Sequence, residues 1–196
     1  MTKLLINLFI KDSEKTDDPA VRSRYGTLSG IVGILCNILL TAAKFIVGSV
    51  TGSIAITADA ANNLSDAGSS AVTLVSFRLA NKPADDEHPF GHGRIEYVCA
   101  LIVSFIILLM GGELIRSSVD KILHPEPLQF SVTALIVLLA SIGVKIWMAV
   151  FNRNIGKRIN STAVGAVVMD SVSDTAATTV SMIALILSKF TSVPLD

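Results

Sequence analysis

Charge is scarce in this sequence: only 16% of its 196 residues are Asp, Glu, Lys or Arg. What charge exists is unbiased, with 16 basic residues against 16 acidic ones. A nucleic-acid-binding chain normally carries a basic excess, so that class is excluded. Cysteine is nearly absent. Cys36 and Cys99 both lie in apolar runs and neither belongs to a C-x-x-C pair, which removes a disulfide framework and a zinc knuckle from consideration. Against these absences stand 51% hydrophobic residues and a mean hydropathy of +0.63, the composition of a chain that resides in a lipid bilayer.

Five apolar segments can be read, near residues 28–50, 54–79, 97–115, 130–151 and 163–187. Each approaches the roughly 20 residues needed to cross a hydrocarbon core of about 30 Å. The expected fold class is therefore an all-α integral membrane protein with five transmembrane helices. Segments two and five are the least apolar, because Asn, Asp, Ser and Thr interrupt them. Helices that carry such residues must turn them towards protein or water. Residues 1–24 read as an N-terminal segment and 25–196 as the transmembrane domain. The apolar run at 4–10 is too short to span and precedes no small-residue cleavage site, so it reads as a short helix lying on the membrane interface.

The loops carry an orientation. Lys3, Lys11, Lys15, Arg22 and Arg24 precede segment one; Arg78, Lys82 and Arg94 follow segment two; Arg153, Lys157 and Arg158 follow segment four. The other side holds Arg116, Lys121 and Lys189. The positive-inside rule therefore predicts a multi-pass protein of the cell membrane with its N-terminus in the cytoplasm. Lys44 and Lys145 fall inside segments one and four, each near enough to an end to be expected to snorkel.

Two motifs break the apolar pattern. Asn62-Asn63-Leu64-Ser65-Asp66 lies in segment two and Asp170-Ser171-Val172-Ser173-Asp174 in segment five. Helical positions i and i+4 share a face, which stacks Asn62 with Asp66 and Asp170 with Asp174. A carboxylate at mid-membrane costs roughly 2.5–3.5 kcal/mol on insertion scales, and two together cost more. If the two helices face each other, these side chains form a cage of hard oxygen donors suited to a divalent cation. Ser65, Ser171, Ser173 and Thr175 either orient the carboxylates or bond to the carbonyl one turn back. Gly30, Gly33 and Gly48 read as close-packing points in segment one. Asp59, one turn before Asn62, reads as an exit-path carboxylate or as a charge paired with a neighbour.

The loop after segment two holds Asp85, His88 and His92 among Pro89, Gly91 and Gly93, followed by Arg94 and Glu96. Imidazole with carboxylate suits a borderline metal such as Zn²⁺. The alternative is a polar turn leading into the third helix, and the residues alone leave both readings open.

The two helix motifs, this loop, the Ala58-Asp59-Ala60 lead-in and Pro125-Glu126-Pro127 after the third segment resemble a cation diffusion facilitator. The resemblance runs from about residue 25 to the end of the sequence. It implies a homodimeric efflux transporter that exchanges a divalent metal for protons, with no permanently bound cofactor. It implies a transport site of Asn62, Asp66, Asp170 and Asp174. Asp85, His88 and His92 match the family's secondary loop site. Arg94 matches a basic position that in some members pairs with an acidic residue of helix six, as a structural or gating charge. The resemblance also implies a six-helix bundle and a cytoplasmic C-terminal domain. These residues hold five of the six helices, and the chain is expected to be part of a longer protein.

The donor set bears on the metal. Asn62, Asp66, Asp170 and Asp174 offer oxygen alone, which suits Mn²⁺ better than Zn²⁺, and the Asn-x-x-x-Asp with Asp-x-x-x-Asp pairing resembles the manganese branch of the family. Fe²⁺ and Zn²⁺ rank behind it. An intramembrane aspartyl enzyme is the rival from another class, but it calls for Gly-x-Gly-Asp and Asp170 follows Val167-Val168-Met169. A passive channel ranks low, since four oxygens on two helices close a cage more readily than they line a pore.

Overall fold

Each apolar segment becomes a helix because a backbone in lipid must satisfy its own hydrogen bonds. The computed structural model describes residues 2–10, 13–51, 54–86, 88–123 and 131–187. These form a short helix, α1 (Thr2–Phe9), and five long ones: α2 (Pro19–Thr51), α3 (Ile54–Ala80), α4 (Ile95–Leu123), α5 (Val132–Ile159) and α6 (Thr162–Leu187). Pro125-Glu126-Pro127 lies outside the described residues. Among the described residues, three helices are long and apolar enough to cross a membrane by themselves, over Pro19–Val50, Ile95–Glu113 and Val132–Ile159. The others, α3 and α6, are of similar length but carry the acidic motifs.

Most of the long helices extend well past the apolar segments. α2 begins at Pro19, whose fixed φ suits a first helical position, while Asp18 Oδ1 accepts the Ala20 N–H at 2.8 Å. α5 continues to Ile159, where Asn160 ends it in the left-handed conformation (φ 46°, ψ 52°) and Ser161 Oγ accepts the Val164 N–H to start α6.

α2 packs on α3 and α5 on α6 as antiparallel pairs, α4 lies against α3 and α6, and α2 also meets α5. Close approach of α2 to α3 depends on glycine: a Cβ at Gly30 would stand 2.7 Å from Leu74 Cβ, and one at Gly33 would stand 2.5 Å from Ser70 Oγ. The continuous apolar core sits at one end of the bundle. Tyr25, Leu28, Phe77, Phe151, Ile155, Ile159, Ala163 and Val164 meet there, joined by Ile6 and Ile10. The short N-terminal run is thus docked on the bundle through one face, while Leu8 and Phe9 stay exposed. Outward positions such as Leu39, Leu101 and Leu108 are apolar and exposed, and polar residues such as Asn37, Asn63, Ser69 and Asn152 are buried. That inversion is what a helix bundle in lipid requires.

At the same end Arg22 ties four helices together. Its Nη2 lies 2.6 Å from Glu96 Oε2 of α4, its Nε donates to the Ile159 carbonyl of α5 at 3.1 Å, and its guanidinium stands 5.8 Å from the Phe77 ring centre of α3. Glu96 is buried; Arg94, its near neighbour, is exposed and makes no ion pair among the described residues.

Candidate metal site between α3 and α6

Contact between α3 and α6 brings the two acidic motifs to one place. One oxygen from each of Asp66, Asp170 and Asp174 falls in a cluster whose members all lie within 4.8 Å of one another. Asp66 is fully buried, Asp170 nearly so, and the Asp174 side chain is 15% exposed. Asn62 Nδ2 donates to Asp174 Oδ1 at 3.4 Å, so the fourth residue of the expected set stands beside the third. Asp66 Oδ1 is buried with no hydrogen-bond partner among the described residues. Divalent cations take carboxylate oxygens at roughly 2.0–2.6 Å, a reach that this spacing accommodates.

A fifth residue completes the cluster, and the sequence reading missed it. Lys145 Nζ lies 2.5 Å from Asp66 Oδ2 and 2.5 Å from Asp174 Oδ2. The lysine is buried and does not snorkel, which corrects the expectation drawn from segment four. The physical reason is the rotation of α5, which turns Lys145 towards α3 and α6, where Asp66 and Asp174 take its ammonium. A single sequence carries no signal for that rotation.

Lys44 is corrected in the same way. It is buried, and its Nζ lies 2.7 Å from Asp59 Oδ2. Both residues sit at similar distances from the adjoining ends of α2 and α3, so the paired helices bring them to one level; the paired-charge reading of Asp59 holds. The hydroxyl groups near the motifs serve the backbone. Ser65, Ser171 and Thr175 donate to the carbonyls of Ala61, Val167 and Ser171, each one turn back.

The loop constellation is also assembled. His88 Nδ1 lies 3.1 Å from Asp85 Oδ1, His92 Nε2 lies 3.6 Å from Asp85 Oδ2, and the two imidazole centres are 4.5 Å apart. Gly91 takes a left-handed φ of 73°, which lets the loop fold back and a side chain there would resist. The His88 backbone N–H donates to Asp85 Oδ1 at 2.7 Å, and this bond holds the carboxyl below its ordinary value. Both Cys36 and Cys99 are free.

Residues 30–196 match the cation efflux transmembrane domain. Among curated relatives, an uncharacterized transporter of Methanocaldococcus jannaschii is 31% identical over 160 residues, covering 82% of this chain and 56% of the relative. The manganese efflux system protein MneS of Bacillus subtilis is 30% identical over 167 residues, covering 84% of this chain and 57% of that protein. Magnetosome protein MamM of Magnetospirillum gryphiswaldense is 32% identical over 136 residues, 67% of this chain and 42% of the relative. The chain thus spans about half the length of the curated relatives it matches.

Proposed function

The chain belongs to the cation efflux family of membrane metal transporters, and we propose that it exports Mn²⁺ in exchange for protons. The observation that carries this reading is the clustering of Asp66, Asp170 and Asp174 from α3 and α6 around a common point inside the bundle. Asn62 stands at the rim with its Nδ2 on Asp174 Oδ1, and an amide flip on metal binding would turn its carbonyl oxygen to the ion. An all-oxygen set favours Mn²⁺, and the similarity to a manganese efflux protein points the same way. Raw affinity follows the Irving–Williams order, so Zn²⁺ and Fe²⁺ remain competing cargoes.

In the proposed cycle the site opens to the cytoplasm, and the ionised aspartates take the metal together with Asn62. The helices rock, the site opens to the far face, and protons compete for the carboxylate oxygens as the ion leaves. The N-terminus lies in the cytoplasm, as the basic residues around α2, α3 and α5 suggest, and the transporter works as a homodimer, as in the family it resembles. Asp85, His88 and His92 form a second metal site on the loop, of a donor type suited to Zn²⁺. Arg94, exposed at the start of α4, is available to an acidic partner from another helix.

The test is metal-resolved transport by the full-length protein in proteoliposomes under a pH gradient, with Mn²⁺, Zn²⁺ and Fe²⁺ compared. Mn²⁺ transport lost in both Asp66→Ala and Asp174→Ala is the expected result. Undiminished transport in the two variants would show that these carboxylates are structural.

A further inference from the structure

A buried lysine between two carboxylates in a cation site calls for its own account. Lys145 comes from α5, a helix that carries neither acidic motif, and its ammonium bridges one carboxylate of α3 and one of α6. Its side chain is only 4% exposed. A metal shared by Asp66 and Asp174 must approach the same two carboxylates, drawing their oxygens to roughly 2.0–2.2 Å. The point between those oxygens is the one the ammonium holds. A divalent ion placed beside it would meet a like charge at close range in a medium that screens poorly.

We propose that Lys145 is a tethered cation that trades places with the cargo: its ammonium bridges Asp66 and Asp174 when metal is absent and leaves the pair when metal binds. The inference rests on the metal-site reading above and adds to it a residue that sets affinity. In the metal-free protein the lysine spares the two helices an uncompensated pair of buried carboxylates, the costly state for such groups. When the ion arrives, the ammonium has an acceptor one turn away on its own helix. Ser141 Oγ is buried, lies four positions before Lys145, and has no hydrogen-bond partner among the described residues. As the ion departs, the ammonium returns, so release never strands Asp66 opposite Asp174 without a cation. Lys145 therefore weakens metal binding, and the weakening is what lets a deep oxygen site discharge its cargo.

Two measurements on the full-length protein test this. The first is the Mn²⁺ dissociation constant, read by the loss of free-ion EPR signal, for wild type, Lys145→Met, Lys145→Gln, Lys145→Arg and Asp66→Asn. The neutral variants are expected to bind Mn²⁺ about tenfold tighter or more, and Lys145→Arg no tighter than wild type. Binding by the neutral variants equal to or weaker than wild type overturns the proposal. Asp66→Asn separates the two levels of the argument: binding unchanged in that variant sinks the metal site itself. If Asp66→Asn loses binding and the lysine variants do not gain it, only the exchange is wrong. The second measurement needs no substitution. Solid-state NMR on wild type with ¹⁵N-lysine and ¹³C-aspartate reads the Nζ–carboxyl contacts with and without Zn²⁺ as a diamagnetic probe. Loss of the Lys145 contacts on adding Zn²⁺, with the Lys44–Asp59 contact unchanged as an internal reference, is expected; contacts that persist with Zn²⁺ bound refute the exchange.

Discussion

Replacing Gly30 with alanine adds one methyl group where α2 meets the backbone of α3. That carbon would stand 2.7 Å from Leu74 Cβ, 3.0 Å from its Cα and 3.2 Å from its backbone nitrogen. Ordinary carbon contacts lie at roughly 3.5–4.0 Å, so the helices must part by about 1 Å. No rotamer change relieves the clash, because the obstructing atoms belong to the backbone and Cβ of α3. Overpacking of this kind costs about 1–3 kcal/mol, and the better helix propensity of alanine returns about 1 kcal/mol. Gly68→Ala is the matched control: it lies on α3, and nothing stands within 4 Å of an added Cβ. It keeps the propensity gain without the clash, so the two variants should differ by about 2 kcal/mol and move in opposite directions. For a chain of this size that separates their melting temperatures by roughly 4–8 °C. Thermal melting in detergent, monitored by intrinsic fluorescence, reads the difference directly. Gly30→Ala melting at or above Gly68→Ala would refute the claim that glycine governs the α2–α3 approach.

The remaining predictions concern charges. Asp59→Ala should destabilise more than Lys44→Met, because it leaves an ammonium that is 2% exposed without its partner, at a cost of about 3–5 kcal/mol, whereas Asp59 is 29% exposed and can recruit water. A double-mutant cycle on melting temperature checks this, and equal single effects would contradict the burial difference. In the loop, the depressed Asp85 carboxyl contributes order that is present above the ordinary carboxylate pKa and is lost as pH falls through the lower folded value. Hydrogen exchange corrected for intrinsic rate should show the His88 amide protected at pH 6 and released only in strongly acidic buffer. Release between pH 6 and 5 would be at odds with that bond. Asp85→Ala keeps the backbone carbonyl that also accepts the His88 N–H at 3.1 Å, so it should lower the protection and abolish its pH dependence.

Much of this architecture is legible in the sequence because lipid imposes severe rules. Apolar runs of spanning length become helices, and the i, i+4 spacing of Asn62 with Asp66 and of Asp170 with Asp174 places each pair on one face. Depth along the membrane is also readable, since residues near a turn lie near one surface. Azimuth is not. Whether Lys145 points to lipid, to water or to Asp66 depends on how α5 is rotated against α3 and α6, and that rotation comes from packing of many side chains at once. The same holds for Arg22, whose partners Glu96, Ile159 and Phe77 come from three other helices. Helix ends were the second gap. Polar stretches such as 152–159 continue a helix beyond its apolar run, and hydropathy ends the segment where polarity begins rather than where the helix stops.

The one-sided core has a mechanical consequence. With the Arg22 tie and the apolar cluster at one end, that end acts as a fulcrum for any tilt of the α5–α6 hairpin. Asp170 stands roughly 15 Å from the turn at Asn160 and Leu187 roughly 40 Å from it, at 1.5 Å per residue. A tilt of about 10° would carry the far end of α6 through roughly 7 Å while Asp170 moves roughly 2.5 Å. The hairpin would thus be a lever of unequal arms, on which a mouth can open wide with only a small displacement of Asp170.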